Sequence, residues 1–516
     1  MEDSNFGSKY DRQVRLWSGN GQRSLAGSRV CVVNGSPWAS EILKNLVLPG
    51  VGSVVVVDSA AVGEEDLASN FFLGGGDVGA QRAVRLAETV STLNPDVCIT
   101  AVVDDRALFG DGDEDAGFWS SFDCVVLCAG PAYHACESRL SERLWALGVP
   151  LLKVGAVGFY AYLRIQTGEQ VIVETHESNL HDLRLDLPWP ALQQHVDRTS
   201  LADDSYLRAP YSVVLSKVFQ QLQQNADGSR RPAPAAVRAA LKRLYRTGDE
   251  LNLDEAYSKA YLLMRNSAEI PPSVADILAD RKTTHLDGSS SLFWILCNAL
   301  KCFYDTFHVL PLSGVLPDME SDTADYIRLR NIYTDKFEQD RRFIRDKALL
   351  SLRQLHRSPD ELADNDSLLT LFVKNSRFLK VVRGSKWDTM PKILEVFKSG
   401  NEQLADKALI YLAFLTLESF AREHHRSPTF DDRPELRTTA IAILCNNHDV
   451  KTFPEGFDKV LDEMCRACGR SLHNVCAVIG GITAQEVIKI LTNQYIPLDN
   501  CLVYDGITGR TSTFKL

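Results

Sequence analysis

The chain has 516 residues, 45% of them hydrophobic and 24% charged, with a formal net charge of −11. That is the balance of a soluble globular protein with room for two to four domains; the acidic charge argues against a nucleic-acid partner, and no apolar run approaches the roughly 20 residues that would span a bilayer. The opening residues, Met1-Glu-Asp-Ser-Asn-Phe-Gly, lack a secretory signal, and the twelve cysteines, several inside strand-like runs (Cys31, Cys98, Cys124, Cys128), read as reduced thiols of a cytoplasmic or nuclear protein.

In chain order, Tyr10-Asp-Arg-Gln-Val-Arg-Leu-Trp17, with Gly21-Gln22 behind it, precedes a strand–helix–strand pattern. Ser28-Arg-Val-Cys-Val-Val33 is the β-branched run of a buried parallel strand. Glu41–Val47 has helical spacing, and Ser53-Val-Val-Val-Val-Asp58 is a second strand ending in a carboxylate. A nucleotide-binding unit of this kind turns through Gly-x-Gly-x-x-Gly, because phosphate must reach bare backbone at a helix N-terminus. Here the turn reads Asn34-Gly35-Ser36-Pro37-Trp38-Ala39. One glycine survives, the proline removes an amide donor, and the tryptophan takes space that phosphates need. The scaffold is kept while the phosphate chemistry is lost, a combination that points to a subunit working with a catalytic partner. Asp58 stands where a ribose-binding carboxylate belongs, although a lone aspartate at a strand end is a weak signal.

A helix near Ala80–Leu93 follows, then strands at Val97–Val103, Phe122–Cys128 and Pro150–Val157. Alternation of this kind implies a mostly parallel sheet covered by helices. The acidic stretch Gly110–Gly117 has Ala116 where a calcium loop needs glycine and no closing glutamate, so it reads as a solvated loop. Residues 178–455 are predominantly helical. Ser358-Pro-Asp-Glu361 is a capping box with proline at the first helical position, and Leu368–Val382, Pro391–Phe397 and Ala405–Ala421 carry helical spacing. Asn225–Pro234 reads as an exposed loop. Cys465-Arg-Ala-Cys468 has no second pair nearby to complete a zinc site. Gly480-Gly-Ile-Thr-Ala-Gln-Glu486 opens a helix, and Asn500–Tyr504 and Thr511–Phe514, turning at Asp505-Gly506, form a hairpin that could extend the same sheet.

The Tyr10–Trp17 stretch resembles the opening of the ubiquitin-activating enzyme superfamily, which includes the bacterial sulfur-carrier adenylyltransferases. Glu41–Gly52, Asn70-Phe-Phe-Leu73, Leu93-Asn-Pro95 and Gly480–Glu486 agree with it. Within the superfamily, Leu180–Pro190, Ser291–Leu296, Leu316-Pro-Asp-Met319, Tyr326–Tyr333 and the ending Thr513-Phe-Lys-Leu516 look like the regulatory, non-catalytic subunits of neddylation-activating heterodimers. The resemblance covers nearly the whole chain. It implies an α/β, Rossmann-like adenylation fold in an inactive copy, discontinuous over residues 1–177 and 456–516. Residues 178–455 would be a large, mainly helical insertion, similar to a catalytic-cysteine domain that lacks its cysteine. It also implies a soluble protein of cytoplasm and nucleus.

Active members of the superfamily adenylate the C-terminal glycine of a ubiquitin-like modifier with ATP and magnesium, then pass it to a cysteine as a thioester. Set against them, this chain departs at several catalytic positions. Phe71-Phe72-Leu73 replaces the arginine expected after Asn70, Arg82 replaces the expected lysine, and Gly130 replaces a magnesium-ligating aspartate. No cysteine has the Pro-x-Cys-Thr-like context of the nucleophile. The resemblance therefore implies no cofactor or metal on this chain, with ATP and magnesium in a homologous catalytic subunit. Further implied partners are a Nedd/Rub-type modifier and, indirectly, a conjugating enzyme. Arg12 matches the arginine that reaches across the interface toward the partner's ATP; Arg15 is its neighbouring candidate. The plain alternative for both is that of surface arginines pairing with local acids. The charged helix around Arg328–Phe343 is a candidate contact, through Tyr333, Lys336, Phe337, Arg341 and Arg342, or a solvated helix face. A sumoylation-type subunit, a plain scaffold and a nicotinamide-dependent oxidoreductase are the rival readings; the last rests only on Asp58 and the strand–helix–strand pattern.

Overall fold

A computed structural model describes residues 9–104, 108, 116–176, 182–225, 232–248, 250–387, 393, 395–397, 402–445 and 455–516. The chain divides into two compact units, Met1–Gln170 with Val382–Leu516, and Val171–Val381.

The first unit begins with α1 (Asp11–Gly27), β1 (Arg29–Val33), α2 (Pro37–Val47), β2 (Ser53–Val57), α3 (Arg82–Ser91) and β3 (Cys98–Val102). It continues with β4 (Cys124–Cys128), α4 (Glu137–Leu147), β5 (Leu151–Val157) and β6 (Tyr160–Gln166). The chain leaves through β7 (Glu169–Ile172) and returns through β8 (Lys380–Arg383), which pair with each other. After the return come α5 (Glu402–His424), α6 (Phe457–Ala467), α7 (His473–Thr492), β9 (Cys501–Asp505) and β10 (Arg510–Phe514).

Eight strands form one sheet in the order β10-β9-β6-β5-β4-β1-β2-β3. The five from β5 to β3 are parallel, as the strand–helix alternation requires. β6, β9 and β10 extend it antiparallel, so the C-terminal hairpin does join the sheet. The period-two alternation of side chains supplies both cores. Val30, Val32, Val54 and Val56 pack with Ile42 and Leu46 of α2 and Ile479 and Val487 of α7. Cys31, Val33, Val55 and Val57 pack on the other face with Trp119, Leu140 and Leu144.

The structure revises several expectations. β6 was not among the predicted strands; its Arg164 and Gln166 are polar but fully buried, which hides the strand from a hydrophobicity reading. The helical insertion ends at Val381 rather than at 455, because α5 packs on β6, β9 and β10 and so belongs with the sheet. The run Leu368–Val382 is a helix only over Asp366–Lys374 and then becomes β8. Gly480 sits in the middle of α7, not at its start. A Cβ there would fall 2.5 Å from the Cβ of Glu41, so glycine is what lets α7 press against α2. α7 also has the 20-residue length and apolar composition of a span, but 61% of its apolar 18-residue window is buried inside the protein. Cys98 is exposed, unlike Cys31, Cys124 and Cys128. Residues 110–115, 226–231, 180–181 and part of the predicted 391–397 helix lie outside the described residues.

The second unit is helical, with the helix Leu292–Phe307 packed along the 32-residue helix Thr323–Gln354. The long helix is mostly charged, but Leu329, Tyr333, Phe337, Ile344, Ala348 and Leu352 recur at helical spacing and bury into two apolar clusters. Ser358 accepts from the Asp360 amide at 3.1 Å ahead of a single turn, Asp360–Ala363, whose N-cap is Pro359, so the proline stands just before the first helical position rather than at it. Glu361 does not complete the expected capping box; its carboxylate is taken by Arg357.

Candidate functional site

The turn after β1 lies at the carboxyl end of the parallel strands, where open α/β sheets bind their ligands. Asn34 adopts φ 71° to make the turn, and its Nδ2 donates to the Cys128 carbonyl at 2.9 Å. Ser36 caps α2 by accepting from the Ala39 amide at 3.4 Å, with Pro37 in the first turn. Trp38 is buried in the core behind that turn and lines a small apolar cavity with Ala129 and Gly130.

Asp58 is completely buried at the end of β2. One carboxylate oxygen accepts from the Gly35 amide at 2.8 Å and from Arg82 Nε at 2.6 Å. The other accepts from the Ala60 amide at 2.9 Å and from the Tyr133 hydroxyl at 2.8 Å. Arg82 spends its remaining nitrogens on Asp66 and on the Asn34 side-chain oxygen, both at 3.0 Å. Burial works against the charged form of Arg82, but Asp58 and Asp66 outweigh it and hold the guanidinium ionised. Burial and the neighbouring Asp58 push the Tyr133 hydroxyl far up, so it remains a donor. Asn70 closes the network by accepting from Ser40 at 2.7 Å.

These residues do not fit a nucleoside triphosphate. The carboxylate meant for ribose has four internal donors. The cation meant for phosphate is locked into an ion pair. Even the surviving glycine has no room, since a Cβ on Gly35 would stand 2.6 Å from Leu86 and 2.9 Å from Asp58. At Gly130, where a metal-binding carboxylate is expected, a Cβ would meet Asn34 Nδ2 at 2.9 Å. Tyr133, Asn34 and Asp66 were not among the sequence candidates. Asn34 was visible as a lost glycine, but nothing in the sequence brings Tyr133 to Asp58.

The surface side of the unit is built differently. Tyr10 is buried, and its ring stacks over Gly50, whose φ of 86° and lack of a Cβ allow the approach. Asn94 Nδ2 donates to the Tyr10 hydroxyl at 2.9 Å and to the Val47 carbonyl at 2.9 Å. Three of the motif stretches, around Tyr10, Gly50 and Asn94, thus meet to anchor the start of α1. Gln22 secures the far end, accepting from Trp17 Nε1 and donating to the Pro49 carbonyl. Between these anchors Arg12 is exposed, and its side chain has no hydrogen bond or ion pair among the described residues. Arg15 is 77% exposed and pairs with Asp11 at 2.9 Å, the local acid that the plain surface reading requires.

The candidates on the long helix do not form one surface. Tyr333 is buried, with its hydroxyl on the Leu183 carbonyl at 2.5 Å, and Phe337 is buried in the adjoining core, so neither can be an interface residue of this fold. Lys336 is bound to buried Asp340, which also accepts from the Leu312 amide at 3.0 Å. Arg341 is held by Asp366 and Thr370. Only Arg342 of the five is exposed.

The ThiF family model matches residues 10–516. The chain is 36% identical over 530 residues to the Nedd8-activating enzyme E1 regulatory subunit of Drosophila melanogaster, covering 100% of this chain and 98% of that one. It is 31% identical to the NEDD8-activating enzyme E1 regulatory subunit of Gallus gallus, covering 98% of each. It is 30% identical to the NEDD8-activating enzyme E1 regulatory subunit AXR1 of Arabidopsis thaliana, covering 98% of this chain and 96% of that one. A family model over nearly the whole chain and relatives of 30–36% identity over their full length show that the chain belongs to the ThiF family and, within it, to the NEDD8-activating enzyme E1 regulatory subunits.

Proposed function

We propose that this chain is the regulatory half of a heterodimer whose other half, a homologous catalytic subunit, binds ATP and magnesium, adenylates a NEDD8-type modifier and carries its thioester. The filled pocket carries the reading: both oxygens of Asp58 and all three nitrogens of Arg82 are already engaged inside the fold. This chain binds no nucleotide or metal of its own and acts by contact. Cytoplasm and nucleus are the compartments this role implies.

Arg12 is the residue we assign to the partner's site. Its anchored but unpaired guanidinium would reach the phosphates bound there and offset the charge that develops as the acyl-adenylate forms. The partner's docking face would include the outward side of α7, where Ala477 and Val478 are exposed, together with Phe71. The Phe71 ring stacks on His473 at 5.7 Å with Lys44 above it. Obligate interfaces of this kind bury on the order of 2,000 Å² or more, so the face is one part of a larger surface. The modifier and, indirectly, a conjugating enzyme complete the assembly.

The test is co-expression with the catalytic subunit and measurement of ATP–pyrophosphate exchange and thioester formation against several ubiquitin-like modifiers. Arg12→Ala should slow exchange on the order of 10²-fold while the heterodimer still assembles; an unchanged rate discards the role of Arg12. Val478→Asp should reduce co-purification. Failure of the chain to co-purify with any ATP-binding homologue would leave only a scaffold.

A further inference from the structure

The arm that carries Arg12 is shorter than α1 as a whole. The backbone at Trp17 (φ −127°, ψ 23°) and Ser18 (φ 61°, ψ 171°) is not helical, so α1 is two helices in tandem, and Arg12 lies on the short piece Asp11–Leu16 ahead of the break. Such a break takes the carbonyls of Leu16 and Trp17 out of the helical ladder, because each would have to reach an amide four places on across non-helical residues. Backbone acceptors freed in this way have to be satisfied from elsewhere.

The donors come from the far end of the chain. Gln494 Nε2 donates to the Trp17 carbonyl at 2.7 Å, and the Tyr495 hydroxyl donates to the Leu16 carbonyl at 3.2 Å. Gln494 is 3% exposed. Both residues follow closely on α7, which ends at Thr492 and packs against α1. Asn493 and Tyr495 take left-handed φ values of 52° and 56° to turn the loop toward the arm, an uncommon backbone for a residue of tyrosine's bulk. Gly21 keeps the approach open, since a Cβ there would stand 2.9 Å from Gln494 Nε2 and 3.0 Å from Trp17 Cβ.

A helix as short as Asp11–Leu16 does not hold itself in water. Here it is held at its start by Tyr10 on Gly50 and at its end by Gln494 and Tyr495. We propose, resting on the role given to Arg12 above, that Gln494 and Tyr495 are positioning residues for that guanidinium. They tie the arm to the end of α7, so that the face offered to the catalytic subunit and the cation offered to its nucleotide belong to one connected piece. Neither side chain meets the nucleotide; each acts through the backbone of the arm, as orientation at a reacting centre requires.

ATP–pyrophosphate exchange is measured on the assembled heterodimer with Tyr495→Phe, with Gln494→Met, with Arg12→Ala, and with each of the first two combined with Arg12→Ala. Tyr495→Phe should slow exchange about threefold and Gln494→Met about tenfold. In the Arg12→Ala background neither should slow it further, because nothing is left to position. A merely structural role would slow exchange by the same factor in both backgrounds. Each residue is judged by its own cycle: equal slowing in both backgrounds, or no slowing at all, overturns its assignment while the role of Arg12 stands. An unchanged rate in Arg12→Ala overturns that role and the positioning with it. Tyr495→Phe removes only a hydroxyl and decides the matter where Gln494→Met does not fold.

Discussion

The turn after β1 and the first turn of α1 treat their charged residues in opposite ways. At the turn, the residues that would meet a nucleotide meet each other: Asp58 takes Arg82, Tyr133 and two backbone amides. At α1, the structure spends Tyr10, Asn94 and Gln22 on anchoring the helix and leaves Arg12 in solvent. The difference teaches what burial demands of a charge and what exposure leaves open. A carboxylate buried as Asp58 is cannot be left bare, because the desolvation cost must be met by internal donors. An exposed arginine carries no such cost and needs no partner within the fold.

The sharpest way to break that contrast is Arg82→Ala. It removes the cation from a fully buried Asp58 and strips a partner from Asp66 and Asn34 at once. Breaking a buried pair from one side costs about 3–5 kcal/mol, to be read as a lowered urea midpoint of unfolding. Adding Asp58→Asn should recover part of the loss, since the stranded charge is then gone. A loss under about 1 kcal/mol, the scale of an exposed pair, would mean that the network is not what holds the turn. Restoring glycine at Asn34, Pro37 and Ala39 together should still give no ATP binding by calorimetry, because Arg82 and Tyr133 keep Asp58 engaged. A smaller effect belongs to Tyr133→Phe. It deletes one of two donors to one carboxylate oxygen and should cost about 1–3 kcal/mol, measured in the same unfolding experiment.

Much of this contrast was legible in the sequence. The broken glycine loop, the β-branched strands and the Tyr10–Trp17 stretch named the scaffold and the exposed arginine, because short-range pattern determines strands, turns and the helix they feed. The filling of the pocket was not legible. Arg82 reads as a changed phosphate ligand until the fold shows it turned inward, and Tyr133 lies 75 positions from the aspartate it serves. The end of the insertion was missed for a related reason. α5 has the same apolar spacing as the helices before it, and only its contact with β6, β9 and β10 assigns it to the sheet. Tyr333 and Phe337 were readable and were misread. Their spacing with Leu329 and Ile344 marks a buried stripe on a charged helix, which the charges obscured.

The smallest expected effect sharpens the comparison most finely, because it asks whether exposure alone makes an arginine functional. Arg15 lies one turn after Arg12 on the same helix and is equally a surface cation, but it is engaged with Asp11 at 2.9 Å. An i,i+4 pair this exposed contributes about 0.3–0.5 kcal/mol, so Arg15→Ala should leave the unfolding midpoint nearly unchanged. If the guanidinium of Arg12 acts because the fold leaves it unpaired, Arg15→Ala should also leave the heterodimer's ATP–pyrophosphate exchange at its original rate while Arg12→Ala lowers it. Equal slowing by both variants would assign the effect to the general positive charge of α1, and would raise the salt dependence of exchange to the deciding measurement: a shared field fades as ionic strength rises, whereas a contact at one phosphate group fades far less. The two arginines differ in one local respect, a neighbouring carboxylate, and that single difference is what the pair of substitutions isolates.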